Sequence, residues 1–151
     1  MIDRFESLLQ ELGEQLGLPL HPDHRGACGL NINNRLHIQI EPEPSQERIL
    51  IACFICDIPP GKFRENILKD AMRSNHPLPT YGALSYSEKN NKLSLFAYLP
   101  LPLLHGEKLA SFLMLFIRKA ESWKTGVEAG QTSTLVMGTK KEEPSPFGLK
   151  P

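Results

Sequence analysis

The sequence has no excess of charge of either sign. Lys and Arg number 17, as do Asp and Glu, so the formal net charge is zero at neutral pH. Nucleic-acid binding draws on clustered basic side chains that neutralise phosphates. The longest basic run here is Lys140-Lys141, and that class is set aside. Long apolar runs are also missing. The richest stretches, Ile49–Cys56 and Leu95–Leu104, fall short of the roughly 20 residues a membrane helix needs, and Pro100 and Pro102 break the second. The opening Met-Ile-Asp-Arg-Phe-Glu carries charges where a signal peptide would be apolar. A soluble, cytoplasmic chain without membrane insertion is expected.

Cysteine is scarce. There are three, at 28, 53 and 56, an odd count that does not make a disulfide scaffold. Cys53-Phe-Ile-Cys56 has the spacing of a redox or zinc pair, but it lies in a β-branched, aromatic run that reads as a strand. Residues three apart on a strand point to opposite faces, and no second pair completes a zinc set. These are read as structural thiols. No G-x-S-x-G is present, and no Gly-rich loop leads from a strand into a helix. His21-Pro-Asp23-His24 brings two imidazoles and a carboxylate together, but further ligands are not evident, and a polar loop is expected. His37 and His76 sit in unrelated elements, His105-Gly106 reads as a turn, and Glu11, Glu14, Glu41, Glu43 and Glu47 read as solvated positions. No catalytic residue, metal site or cofactor is assigned, and a binding protein is expected in place of an enzyme.

What is present is periodic apolar patterning. Ile2, Phe5, Leu8, Leu9, Leu12 and Leu16 recur at helical spacing until Gly17 and Pro19. Cys28, Leu30 and Ile32 alternate with small or polar residues, as do Leu36, Ile38 and Ile40, with Asn33-Asn34 as a tight hairpin turn. After a polar loop, Glu41–Glu47, a third strand over Ile49–Ile58 is apolar on both faces. Phe63, Ile67, Leu68, Ala71 and Met72 mark a second helix, broken at His76-Pro-Leu-Pro79. Tyr81–Ser87 and Leu93–Leu99 form a hairpin, and Leu109, Phe112, Leu113, Phe116, Ile117, Ala120 and Trp123 a third helix. The order α-β-β-β-α-β-β-α implies an α+β fold with an antiparallel five-stranded sheet and three helices. Residues 1–125 form one domain, and 126–151, with four glycines, three prolines and one apolar patch at Thr134–Met137, a flexible tail.

Three helices cover one face of such a sheet more readily than two. In the fifth strand Ser94, Phe96 and Tyr98 lie opposite Leu93, Leu95, Ala97 and Leu99, and in the fourth Leu84 and Tyr86 share a face. An apolar second face implies a second copy or another partner, unless the third helix wraps across it.

The segment Asn66-Ile-Leu68, Ala71-Met72, Ser74-Asn75, Gly82-Ala-Leu84-Ser-Tyr86, Leu93-Ser-Leu95, Leu99-Pro100-Leu101, Leu109, Phe112-Leu113, Phe116 and Ala120-Glu-Ser-Trp123 resembles the core pattern of type III secretion chaperones of the Tir chaperone (CesT-like) family, as does the opening helix Phe5–Gly13. The resemblance covers residues 1 to about 125. It implies a bacterial protein with an α/β sandwich fold that forms dimers through the second helix and the fourth and fifth strands: Phe63, Ile67, Leu84, Tyr86, Phe96 and Tyr98 here. It implies a cargo groove on the first helix and first strands, at Ile2, Phe5, Leu9, Leu30, Ile32, Leu36 and Ile38, part of which is simply core. The cargo would be an extended N-terminal segment of a secreted effector or gatekeeper protein, held by strand addition and side-chain pockets. The partner subunit would be identical or a second chaperone. One departure is charge: family members are commonly acidic, and this chain is neutral. Two other readings stand beside this one, an α+β dimerisation or adaptor module with a signalling partner, and a metal-dependent enzyme using His21, Asp23 and His24.

Overall fold

A computed structural model describes residues 3–130; Ile2, the Thr134–Met137 patch and the rest of 131–151 lie outside the described residues. The elements are α1 (Arg4–Leu16), β1 (Cys28–Ile32), β2 (Leu36–Pro42), β3 (Arg48–Asp57), α2 (Lys62–Ser74), β4 (Ala83–Ser87), β5 (Lys92–Pro100) and α3 (Gly106–Glu128). They form an α+β fold whose strands pair antiparallel in the order β1-β2-β3-β5-β4. Helix α3 runs past Gly126, where the sequence pattern lapses. Val127 continues the spacing of Ala120 and Trp123, and all three are buried. Among the described residues no helix is long and apolar enough to cross a membrane.

The chain divides into two compact units, with β3, β5 and α3 each contributing a part to both. The first holds the residues up to Cys53 and Phe96–Met114. Its core sets Phe5, Leu8, Leu9 and Leu12 of α1 with the inward residues Leu30, Leu36, Ile38, Ile40, Ile49 and Ile51 of the strands. Each such side chain contributes about 1.5–3 kcal/mol on burial. Helix α1 starts at Asp3, whose carboxylate accepts from Glu6 N–H at 2.8 Å, and stops at Gly17 in the left-handed region at φ 75°. The β1–β2 hairpin turns at Asn33 and Asn34, both at positive φ, 53° and 59°, and its register sets Leu30 opposite Ile38.

Glu11 ties α1 to the start of α3. Its Oε1 accepts from Gly106 N–H at 2.9 Å and lies 3.1 Å from His105 Nδ1, while Arg4 holds Oε2 at 3.3 Å and donates to the Leu104 carbonyl. The Gly106 N–H, ahead of His105 and Arg4, pulls the Glu11 pKa below the usual carboxylate value. A carboxylate there also suits the positive end of the α3 dipole. Gly106 admits the approach: a Cβ on it would fall 2.5 Å from the Glu11 backbone.

The second unit holds Phe54–Leu95 and the chain from Leu115. Its core comprises Ile55, Ile58, Ile67, Ala71, Leu84, Leu93, Leu95, Phe116, Ala120 and Trp123. The entry to β4 is tight. Gly82 sits at φ 117°, where a Cβ would come within 3.0 Å of Leu95 and 3.2 Å of Phe116, so glycine fits where larger residues would not.

Candidate protein-interaction surfaces

The groove residues expected from the sequence are placed in the core of the first unit. Phe5, Leu9, Leu30, Leu36 and Ile38 are buried, the last three on the inward side of the β1–β2 hairpin, and only Ile32 is partly exposed. A side chain already covered by its own chain offers no surface to a ligand, so these positions carry the fold. Ile2 lies outside the described residues.

Strand parity defines a different surface. Along β3, Ile49, Ile51, Cys53 and Ile55 are buried, whereas Leu50, Ala52, Phe54 and Cys56 alternate on the other, open face. In the first unit that open face continues onto β5 as Phe96 and Tyr98, packed edge to face at 6.2 Å. The Arg48 guanidinium lies 3.9 Å above the Tyr98 ring, which fixes Arg48 and Tyr98 on the same side. Glu43 clamps that guanidinium through two bonds of 2.6 Å, lowering its own pKa and raising that of Arg48. Beside it, Gln39, Glu41, Leu50 and Ala52 line a shallow depression of about 130 Å³. From the sequence Arg48 is passed over and Glu43 reads as a solvated position. The available signal was a charge pair five residues apart across a Pro-Ser turn, beside an aromatic-rich strand.

The six dimer positions expected from the sequence do not share one face. Ser85 Oγ and Ser94 Oγ are 2.6 Å apart, so Ser85 shares the open face with Ser94, and Leu84 turns inward with Leu93 and Leu95. Tyr86 follows Leu84 and its hydroxyl donates to Asn91 at 2.8 Å. Phe96 and Tyr98 therefore lie on the side opposite to Leu84 and Tyr86. Ile67 is fully buried and Phe63 partly so. The exposed apolar residues of the second unit are others: Met72 at the end of α2, 73% exposed, Leu78 at 76% and Tyr81 in the following loop, and Phe54 on β3. The sequence places Met72 on the apolar stripe of the second helix, but its side chain is exposed.

The remaining candidates have structural roles. Asp23 accepts from the N–H groups of Arg25 and Ala27 at 2.8 and 3.0 Å, so its carboxylate closes the 21–26 loop and is held below its usual pKa chiefly by those bonds. Cys53 faces the core and Cys56 the open side, and burial pushes the Cys56 thiol up to about 11. Among the described residues no group of three or more His, Cys, Asp or Glu side chains is arranged to hold a metal.

Two strands end the sheet, β1 and β4. On β4, the Asn75 side chain donates to the Leu84 carbonyl and accepts from the Leu84 N–H, both at 2.8 Å. On β1, the Ile32 carbonyl accepts from Arg35 N–H on the β2 side, which turns the main-chain groups of Gly29 and Asn31 the other way, where no described strand lies.

Residues 7–124 match the sequence profile of the Tir chaperone protein (CesT) family. A search of curated proteins returns no match. Among solved structures, the HopA1–SchA chaperone–effector complex contains a chain similar at a TM-score of 0.67 and 18% identity, covering 83% of this chain and 99% of that one. The ExsC–ExsE complex contains another, at 0.67 and 23% identity, covering 82% and 93%. The Yersinia pestis type III secretion chaperone SycH, bound to a fragment of YscM2, is similar at 0.63 and 20% identity, covering 79% and 98%. At these identities the likeness is one of fold.

Proposed function

The chain belongs to the Tir chaperone protein (CesT) family, and on that footing we propose that it is a bacterial type III secretion chaperone. It binds an extended N-terminal segment of a secreted effector or gatekeeper and keeps that segment soluble and unfolded. The family match over residues 7–124 carries this reading. Two features of the fold support it. The outer side of β1 offers main-chain donors and acceptors to an added strand, and Leu50 and Ala52 offer an open apolar surface beside polar Gln39 and Glu41. A protein that holds its cargo stoichiometrically needs no catalytic constellation, and we read the chain as a cytoplasmic binder and not an enzyme.

We place the self-association surface on Phe96 and Tyr98. An aromatic pair with an adjacent guanidinium has the composition of an interface centre. The second copy is taken as identical, a second chaperone being the variant arrangement.

The test is co-expression with the N-terminal segment of a secreted protein encoded beside the gene. A stable complex by size-exclusion chromatography with light scattering is expected, together with loss of that protein's secretion when the gene is deleted. Normal secretion in the deletion strain, with no complex formed, would overturn the reading.

A further inference from the structure

The two sheet edges differ in their main chains. Strand β4 spans five residues, Ala83–Ser87. In a paired edge strand alternate residues direct both N–H and C=O outward, which at β4 means Leu84 and Tyr86. The Leu84 pair is already engaged by the side chain of Asn75, at 2.8 Å for each bond. The amide orientation is fixed by chemistry, since an N–H can only donate and a carbonyl can only accept. Asn75 thus imitates one residue of a neighbouring strand.

Asn75 is itself anchored. It caps α2, its own N–H bonding to the Ala71 carbonyl at 3.2 Å. The segment that follows it is pinned from α3, where Lys119 Nζ donates to the carbonyls of Thr80 and Gly82, both at 2.8 Å. The lock therefore rests on two helices and is not a surface side chain that swings freely. Only Tyr86 remains to offer outward main-chain groups on β4. A single residue's pair cannot seed a ladder, because strand pairing is cooperative over several residues.

We propose that Asn75 closes the free edge of β4 to strand pairing, so that an extended partner segment adds to the sheet at β1 and not at β4. Natural sheets protect edges by such means, since an open edge invites pairing with other chains. The assignment to β1 rests on the chaperone reading above; the closure of β4 does not.

The experiment uses the full chain without cargo. In wild type, the Leu84 amide should exchange with solvent at least about tenfold more slowly than in Asn75→Ala, by NMR-detected hydrogen exchange. Asn75→Ala should also form concentration-dependent species larger than the wild-type assembly in sedimentation velocity. Asn75→Asp keeps the acceptor for Leu84 N–H and loses the donor, so its Leu84 amide should stay protected while it associates more weakly than the alanine variant. If Asn75→Ala does not fold, the aspartate variant decides: assembly beyond wild type supports the closure and an unchanged assembly overturns it. Unchanged Leu84 exchange in a folded Asn75→Ala, or faster exchange with no new association, overturns it too. Failure of wild type to bind any secreted segment would count against the chaperone reading and leave this result standing.

Discussion

Strands β1 and β4 are both five residues long and both end the same sheet, but their surroundings differ. Strand β1 is entered from a loop that satisfies itself, with Asp23 accepting from the backbone of Arg25 and Ala27. It leaves through a hairpin closed by Asn31 and Asn34, whose side chains bond at 3.0 Å. Nothing in those contacts engages the main chain on the outer side of β1. Strand β4 is entered through Tyr81 and Gly82, both at positive φ, and is held by Asn75 and Lys119. The hydrogen-bonding potential of an edge is thus set by the segment beside it, not by the composition of the strand. Leu84 and Leu30 are both buried leucines of edge strands, yet the main chain of Leu84 is occupied on its outer side by Asn75 while that of Leu30 turns toward β2.

The strongest way to break the comparison is to damage the β1–β2 hairpin from within. Leu36 and Ile38 are buried residues of β2 paired with β1, so Leu36→Asp or Ile38→Asp should cost on the order of 4 kcal/mol or more. Urea unfolding followed by circular dichroism measures this. A near-normal midpoint with lost cargo binding would instead return these residues to a groove.

The open face comes next. Tyr98 is 42% exposed and stacked by Arg48. Tyr98→Glu should leave the melting temperature within a few degrees while weakening self-association about a hundredfold, the scale of a central interface residue. Light scattering over a dilution series reads it. Leu84→Ala supplies the contrast, since Leu84 is core: it should lose about 2–4 kcal/mol of stability. An unaltered dimer in Tyr98→Glu would place the interface elsewhere, for which Met72, Leu78 and Tyr81 form the alternative.

This division between face and core is where the sequence stopped being informative. Element order and strand parity were legible because periods of 3.6 and 2 follow from burial of one side. The pairing of Phe96 with Tyr98 was legible for the same reason. Which side of β4 matches them was not, because that depends on cross-strand register, and the Ser85–Ser94 contact exists only once the hairpin closes. Groove and core were likewise indistinguishable for Phe5 or Leu30, since both demand apolar residues at identical spacing. Asn75 was visible only as part of Ser74-Asn75 in the family-like pattern; its bonds to Leu84, nine positions on, depend on how the loop folds back.

A smaller effect tests the outer side of β1. Asn31 directs its N–H away from β2, so Asn31→Pro removes one donor for an added strand and none from the β1–β2 ladder. Cargo binding should weaken about tenfold, on the order of 1.4 kcal/mol, measured by calorimetry with a co-purifying effector segment. Loss of the Asn31–Asn34 contact should lower stability by about 1 kcal/mol. Unchanged affinity would mean that strand addition does not use this edge.

The smallest effect concerns the tie that holds the entry to β4. Lys119 is partly buried, and desolvation lowers its pKa from 10.5 to about 8. In the unfolded chain the ammonium keeps its proton to the usual lysine value, so between about pH 8 and 10.5 the unfolded state binds more protons than the folded one. Stability from this group therefore rises with pH across that window and is lowest below it, where the folded protein carries a desolvated charge. The part of Lys119 still open to solvent keeps the slope shallow. Lys119→Met retains the aliphatic stem and removes the titration. The wild-type melting temperature, taken relative to that of the variant, should climb from pH 8 to pH 10, and other groups that titrate there cancel in the difference. At neutral pH the variant gives up two bonds to the Thr80 and Gly82 carbonyls, so Leu84 amide exchange should quicken slightly, by less than in Asn75→Ala. A flat difference across the window would mean that the ammonium is stabilised by those carbonyls as much as it is penalised by burial, making the Lys119 tie insensitive to pH.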